Sequence, residues 1–557
     1  MVREMMSFLK SKKLLALMTC VIIVLSYGFY ATHYTVHIDQ LVSEYYNGTV
    51  MIGAGRWAAP MIHWLTNWMN FSPFWHTGIM AILLFFASIV WLMLMMKASK
   101  NQLPDLALIG FSVVFVSYPV IEAQLTYPIL NIALAYGLVP LSLILVLEGI
   151  DDSFQIKKLV CAGLLLLPAV DMYESFAAVY LVGLLVVVIL KYFYNISFIH
   201  SFKNIFLYMC KAVAVLAAVV AFDLLISKLV CLVFCGTTEF WYANNTAIIW
   251  LDVGLIDNAV WLCRTLLASF AIGGGYSHLV FQVCGILLFL YFLVRSISEK
   301  TILPLLLFFG IIIAIFSLSF VVGYAFEPTQ NQTLAIFVAF TIMFIIARLP
   351  NKRCLQVGAM IIVIIVVLNQ SKTINNYAVA NYERYTYETE LLEDIGEDLL
   401  LNGIEKKPVA FYTENYELPE VLSTPRDEES LVLNGYQKLL CLIYDRILPK
   451  NYFVRLSGWY GDKSISSTQD IIERNASNMT AYHSFLKWAD SAENFYPNIY
   501  RMMARLGYNY KAPTPEGRAE AEALLLENDD SVRYVIQETD SIIIVQLMTV
   551  KQYSELD

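Results

Sequence analysis

Charge is scarce in this chain: only 15% of its 557 residues are Asp, Glu, Lys or Arg. A soluble domain carries roughly 25%, so an ordinary water-soluble globular protein is excluded. Nine cysteines are present, and most lie inside apolar runs, where a thiol behaves as a small hydrophobe. Cys441 is the only one after residue 370, which excludes a disulfide framework in that part. Cys231 and Cys235 lie near a membrane face and could pair. No Cys or His spacing of a zinc site occurs, and there are no internal repeats or low-complexity tracts. Acids outnumber bases after residue 370, so nothing there suits a nucleic acid.

Hydrophobic residues, by contrast, make up 58% of the chain, and the mean hydropathy is +0.61. Apolar windows of roughly 17–22 residues, the length that crosses a ~30 Å hydrocarbon core, recur from Leu14 to Leu368. They fall near 14–31, 77–96, 105–121, 128–147, 157–170, 175–191, 205–232, 279–294, 302–322, 333–348 and 354–370. The fold class is a polytopic α-helical membrane protein with about eleven transmembrane helices. The window at 157–170 is short, and 205–232 is long and carries Asp223 and Lys228. A further helix around Ala259–Gly275 is expected to lie in the interface or re-enter the membrane. The basic start, MVREMMSFLKSKK, leads into an apolar run with no small-residue cleavage site, so it reads as a retained first helix.

Lys and Arg set the orientation. Alternate loops hold Arg3, Lys10, Lys12 and Lys13; Lys97 and Lys100; Lys157 and Lys158; Lys191, Lys203 and Lys211; Arg295 and Lys300; and Arg348, Lys352 and Arg353. The opposite loops hold only Arg56 and Arg264. This bias implies a multi-pass protein of the cytoplasmic membrane, with a cytoplasmic N-terminus. Residues 1–370 form the membrane domain, with a large first outer loop at 32–76, and residues 371–557 form an extracytoplasmic domain.

That last part reads as a small α/β or α+β fold. An amphipathic helix places Leu391, Leu392, Ile395, Leu399 and Leu400 on one face and stops at Gly403. A strand at Lys406–Thr413, a helix at Glu516–Asn528 and a hairpin at Val532–Met548 turning at Thr539-Asp540 follow.

Polar residues concentrate in the outer loops. The first holds Asp39, Glu44, Arg56 and four histidines (His33, His37, His63 and His76). The second has Glu122, Gln124 and Tyr127, and the third, DMYESF, has Asp171, Tyr173 and Glu174. The fourth includes Glu239, Trp241, Asp252, Asp257 and Arg264; the fifth, FEPTQNQT, has Glu327. A single acid of this kind is ordinarily a solvated loop residue. The loops around Glu122, Asp171 and Glu327, however, are only a few residues long, which holds each acid at or below headgroup level. A carboxylate costs about 2.5–3.5 kcal/mol at mid-membrane and less toward the interface. In RWAAPMIHWLTNWM, Trp57, Met61, Trp64, Leu65 and Trp68 recur at helical spacing, as in a helix lying along the bilayer surface.

A substrate anchored in the bilayer suits this arrangement. Sugar transfer from a polyprenyl phosphate needs a carboxylate to take the proton of the acceptor hydroxyl. It also needs donors for the leaving phosphate, a task that fits the planar fork of arginine. Asp39 fits the base, with Glu44 as the nearest second acid, and Arg56 and Arg264 fit the phosphate. Glu122, Asp171, Tyr173, Glu174 and Glu327 are the candidates to contact substrate. No metal ligand set is assigned, although His33, His37 and Asp39 could hold a divalent cation, and no cofactor is implied.

An early outer acid (Asp39), a Gly55-Arg56 pair, the YESF turn from Tyr173 to Phe176 and the NNYAVANYERYTYE segment after the last span together resemble a family. It is that of the Gtr-type, GtrII-like glucosyltransferases of bacterial O-antigen serotype conversion, within the GT-C superfamily. The resemblance implies a GT-C-like fold, a polyprenyl-phosphate glucose donor, a cell-envelope polysaccharide or lipid-linked glycan as acceptor, Asp39 as the catalytic acid and Arg56 on the donor side. Many GT-C enzymes carry two adjacent acids in the first loop; here Ile38 and Gln40 flank Asp39, so a second acid would be Glu44 or come from Glu122 or Asp171. The competing readings are a polysaccharide polymerase or ligase, a lipid-linked sugar transporter or flippase, and a non-catalytic scaffold. A ligase would gather several arginines in one outer loop, and an inverted-repeat transporter would show paired interrupted helices.

Overall fold

The computed structural model describes residues 2–33, 35, 49–66, 73–122, 129–151, 154–194, 202–240, 259, 262, 266, 278–322, 331–401, 407–413, 416, 486, 497–527 and 531–548. In chain order the helices of the apolar part are α1 (Val2–Ser11), α2 (Lys13–Thr32), α3 (Thr49–Gly53), α4 (Ala58–Thr66), α5 (Pro73–Ala98), α6 (Asp105–Val116), α7 (Pro119–Glu122), α8 (Ile129–Asp151), α9 (Ile156–Met172), α10 (Ser175–Phe193), α11 (Phe202–Cys235), α12 (His278–Glu299), α13 (Leu303–Ile315), α14 (Ser317–Val322), α15 (Thr333–Arg348) and α16 (Arg353–Leu401). Helix stands over every apolar window, as backbone that must satisfy its own hydrogen bonds in lipid requires. Among the described residues, seven helices (α2, α5, α8, α10, α11, α12 and α16) are long and apolar enough to cross a membrane, and three shorter apolar stretches accompany them. The chain is therefore a multi-pass membrane protein.

Two windows are not single helices. The one at 105–121 breaks at Ser117 and Tyr118 before Pro119, whose ring leaves no N–H to continue the ladder. The window at 302–322 breaks at Phe316. In the opposite sense, the last span and the amphipathic segment after it form one helix of 49 residues, α16. No Gly or Pro stands between Gln370 and Ile395 to end it. The chain divides into two compact units, Met1–Thr32, Gly48–Asn375 and Gln437–Thr468 in one and His33–Asn47, Asn376–Tyr436 and Gln469–Asp557 in the other, and one of the boundaries falls inside this helix.

Polar contacts between helices hold the first unit together, since lipid supplies no hydrophobic drive for helix association. Ser112 Oγ lies 2.6 Å from both Thr19 Oγ1 and Ser88 Oγ, joining α6 to α2 and α5. Ser26 meets Ser371 at 2.8 Å, and Ser117 donates to Gln370 Oε1 at 2.8 Å. Tyr136 donates to the Gln332 side chain and backbone, both at 2.8 Å. Helix α10 is buried almost throughout. At Gly183 it comes so close to α5 and α8 that a Cβ there would lie 2.7 Å from both Trp91 and Leu143. Ion pairs gather at the helix ends where lysines concentrate: Lys12 with Asp105, Lys97 and Lys158 with Glu148, and Lys191 with Asp151. Cys231 and Cys235 are free thiols, one helical turn apart on α11.

In the second unit, β1 (Val409–Tyr412), α17 (Pro497–Arg505), α18 (Pro515–Glu522), β2 (Tyr534–Glu538) and β3 (Ile543–Leu547) follow α16. The sheet order is β1-β3-β2, with β1 parallel and β2 antiparallel to β3. The hairpin turns where the sequence places it, with the Thr539 N–H donating to Ile542 O at 2.9 Å. Thr514 caps α18 by accepting from the Gly517 N–H, and Ala521 packs with Ala410, Tyr412, Ile542 and Ile544 in a small core. Leu391, Leu392, Ile395 and Leu399 are buried as their spacing predicts, whereas Leu400 is exposed. Helix α16 ends at Leu401, and Gly403 lies outside the described residues.

Candidate active site

The turn from α3 to α4 carries Arg56, and local chemistry shapes it. Arg56 N–H donates to Met51 O at 2.8 Å and Gly55 N–H to Ile52 O at 2.9 Å. This is the paired bonding of a Schellman stop, which needs a left-handed residue in next-to-last place. Gly55 fills it with φ +86°. A Cβ there would also press to 3.3 Å from the Phe240 ring. The Gly-Arg pair thus has a geometric cause: the glycine ends one helix, and the arginine is the first residue to leave it.

The next two peptide groups are held from outside. Trp57 N–H donates to Asp171 Oδ1 at 3.1 Å and Ala58 N–H to Asp171 Oδ2 at 2.5 Å. Asp171, on the last turn of α9, thereby caps the start of α4, where N–H groups have no partners within their own helix and a negative charge is favoured. Asp171 is 2% exposed, so both its oxygens are spent on the chain. Ser227 on α11 donates to Oδ1 at 3.4 Å, and the Trp57 indole N–H donates to Asp223 Oδ1 at 3.2 Å.

Arg56 itself faces the YESF turn. Its Nη2 and Nε donate to Glu174 Oε2 and Oε1 at 3.0 and 3.3 Å, and its Cζ stands 5.2 Å from the centre of the Tyr173 ring. The guanidinium is mostly covered and Glu174 is half exposed. A pair of that kind contributes about 0–1 kcal/mol.

Of the residues singled out from the sequence, the structure brings Arg56, Asp171, Tyr173 and Glu174 together. Glu122 ends α7, and its side chain lies outside the described residues, as do Asp39, Glu44, Arg264 and Glu327. The expected helix near Ala259–Gly275 falls almost wholly outside them too. In the segment expected to lie along the bilayer surface, α4 is helical with Met61, Trp64 and Leu65 exposed; Trp57 precedes it and Trp68 is not described. Among the described residues no group of three His, Cys, Asp or Glu could hold a metal ion. His33 packs edge-on against Tyr382 at 4.9 Å, while His37 and Asp39 are not described. Sequence reasoning did not select Asp223, Ser227 or Phe240 for the site. For Asp223 the signal was present: a carboxylate inside an apolar span.

The model of a family described as Glucosyl transferase GtrII matches residues 28–368. The matched stretch includes every residue of this site. Comparison with curated proteins and with solved structures gives no match.

Proposed function

The chain belongs to the GtrII glucosyl transferase family, and from that premise we propose that it moves glucose from a polyprenyl-phosphate donor to a cell-surface glycan at the outer face of the cytoplasmic membrane. Membership makes it a glucosyltransferase of glycan modification, which leaves the transporter and scaffold readings without support. The donor, the side of the membrane and the catalytic residues are our reading.

In that reaction the acceptor hydroxyl oxygen forms a bond to the anomeric carbon as the bond from that carbon to the phosphate oxygen breaks. The electron pair leaves with the polyprenyl phosphate, and the hydroxyl proton passes to a carboxylate. Asp39 is that base, with Glu44 the nearest second acid. Arg56 meets the growing charge on the phosphate through its planar fork, and Arg264, Glu122 and Glu327 complete the substrate contacts. Tyr173 and Glu174 flank the guanidinium and belong to the donor side. Asp171 works on the turn rather than on the sugar.

The observation that carries this reading is the guanidinium of Arg56: mostly covered, placed by the turn that Gly55 closes, and presenting its Nε–Nη2 edge to the half-exposed carboxylate of Glu174. A dianionic or monoanionic phosphate can replace that carboxylate. The test is transfer of labelled glucose from polyprenyl-phosphate glucose to envelope glycan in membranes holding equal amounts of wild type or Asp39→Asn. Transfer by wild type and none by Asp39→Asn is expected; transfer that survives the change moves the base to Glu44, and no transfer by wild type removes the donor assignment.

A further inference from the structure

Asp223 interrupts the apolar run of α11, whose neighbouring residues Phe222, Leu224 and Leu225 are all exposed on the helix surface. A carboxylate in such a helix is costly unless a polar partner claims it. The Trp57 indole does: its N–H donates to Asp223 Oδ1 at 3.2 Å. One helical turn further on, Ser227, 2% exposed, donates to Asp171, the acid that the Trp57 and Ala58 peptide N–H groups face.

Arg56 is thus bracketed. On its N-terminal side is the Schellman stop closed by Gly55 against Phe240. On its C-terminal side are Trp57 and Ala58, gripped by acids from two different helices, α9 and α11. We propose that Asp223 is a positioning residue for Arg56: by holding the Trp57 side chain, while Asp171 holds the peptide groups of 57 and 58, it fixes the direction in which the guanidinium leaves the turn. The proposal rests on Arg56 as the donor-phosphate ligand. Asp223 touches neither sugar nor phosphate in this scheme, and its carboxylate charge is not needed, only one acceptor for the indole.

That last point gives the test. Asn supplies that acceptor through its Oδ1, whereas Leu supplies none. Full-length Asp223→Asn, Asp223→Leu, Trp57→Phe and Arg56→Ala variants are assayed in membranes at equal expression, with a concentration series of polyprenyl-phosphate glucose. Asp223→Asn is expected to keep kcat and donor KM within about threefold of wild type. Asp223→Leu raises donor KM by about tenfold or more with a smaller change in kcat. Trp57→Phe, which keeps the bulk and loses the N–H, moves donor KM in the same direction, and it decides the matter if Asp223→Leu does not accumulate. An unchanged donor KM in Asp223→Leu or, failing its expression, in Trp57→Phe overturns the positioning role. So does Asp223→Asn if it is as impaired as Asp223→Leu, because the acid would then be doing proton chemistry. An unchanged donor KM in Arg56→Ala overturns the phosphate reading and this proposal with it; a raised one beside a normal Asp223→Leu overturns the role of Asp223 alone.

Discussion

Arg56 and Glu174 meet side by side, Nη2 on Oε2 at 3.0 Å and Nε on Oε1 at 3.3 Å, across the 118 residues of chain that separate them. Both donors lie on one edge of the guanidinium, and a lysine amine has no such edge. Arg56→Ala is therefore expected to lower kcat/KM for glucose transfer by about 10²–10³, the usual loss when a donor to developing charge is removed. Arg56→Lys should recover only a small part of it. Initial rates in membranes at matched expression check this, and wild-type rates in Arg56→Ala would remove Arg56 from the site.

Asp171→Asn replaces one acceptor oxygen with an amide N–H that faces a backbone N–H. With one peptide donor at Trp57 or Ala58 left unsatisfied in a buried place, the expected cost is about 1–3 kcal/mol. Thermal unfolding in detergent, monitored beside Glu174→Gln as a half-exposed control, reads the effect. An unfolding midpoint equal to that of the control would show that the cap at α4 contributes nothing.

Gly183 has no room for a side chain between Trp91 and Leu143. Gly183→Val forces α10 away from α5 and α8, and overpacking of this kind costs about 1–3 kcal/mol. The prediction is a lower midpoint in the same unfolding assay, with partial recovery when Leu143→Ala is added to open the space. A midpoint unchanged from wild type would sink it.

In the second unit the Tyr534 hydroxyl donates to Asp398 at 2.6 Å. Burial, then that hydrogen bond and the Asp398 charge, push the phenol well above its ordinary value. A raised folded-state value means that the neutral phenol stabilises the fold in full below the unfolded value of about 10 and that this contribution is lost as pH rises beyond it. Tyr534→Phe has no such term. The stability difference between wild type and Tyr534→Phe should be constant up to about pH 9 and shrink above about pH 10, as read by protease resistance of the segment around β2. A difference that grows with pH would refute the assignment.

Much of the fold was legible because its signals are local. An apolar run of bilayer length favours helix whatever surrounds it, and helix stands over every such window, broken in two of them. The hairpin with its turn at Thr539, a strand within Lys406–Thr413 and the buried face of Leu391, Leu392, Ile395 and Leu399 were likewise carried by period and turn chemistry, whereas the parallel pairing of that strand with β3 was not. Where the reading departed from the structure, the cause was also physical. Ser117 and Phe316 break helices without a strong breaker at that position, although Pro119 follows close behind the first. Past residue 370 the chain turns polar, yet polarity without Gly or Pro does not end a helix, so α16 continues.

The candidate site was legible only as a set of residue types. Arg56, Asp171, Tyr173 and Glu174 stood out by themselves because charge is rare at a membrane face. Their sequence alone determined that each was costly and so had to have a partner. Which partner is a matter of how α3, α4, α9 and α11 pack, and only the tertiary structure decided it. It gave Asp171 to the backbone of Trp57 and Ala58, Glu174 to Arg56, and the indole of Trp57 to Asp223, a residue more than 160 positions away. Local chemistry has a reach of a few residues along the chain; a hydrogen bond between distant helices depends on every side chain that sets their separation.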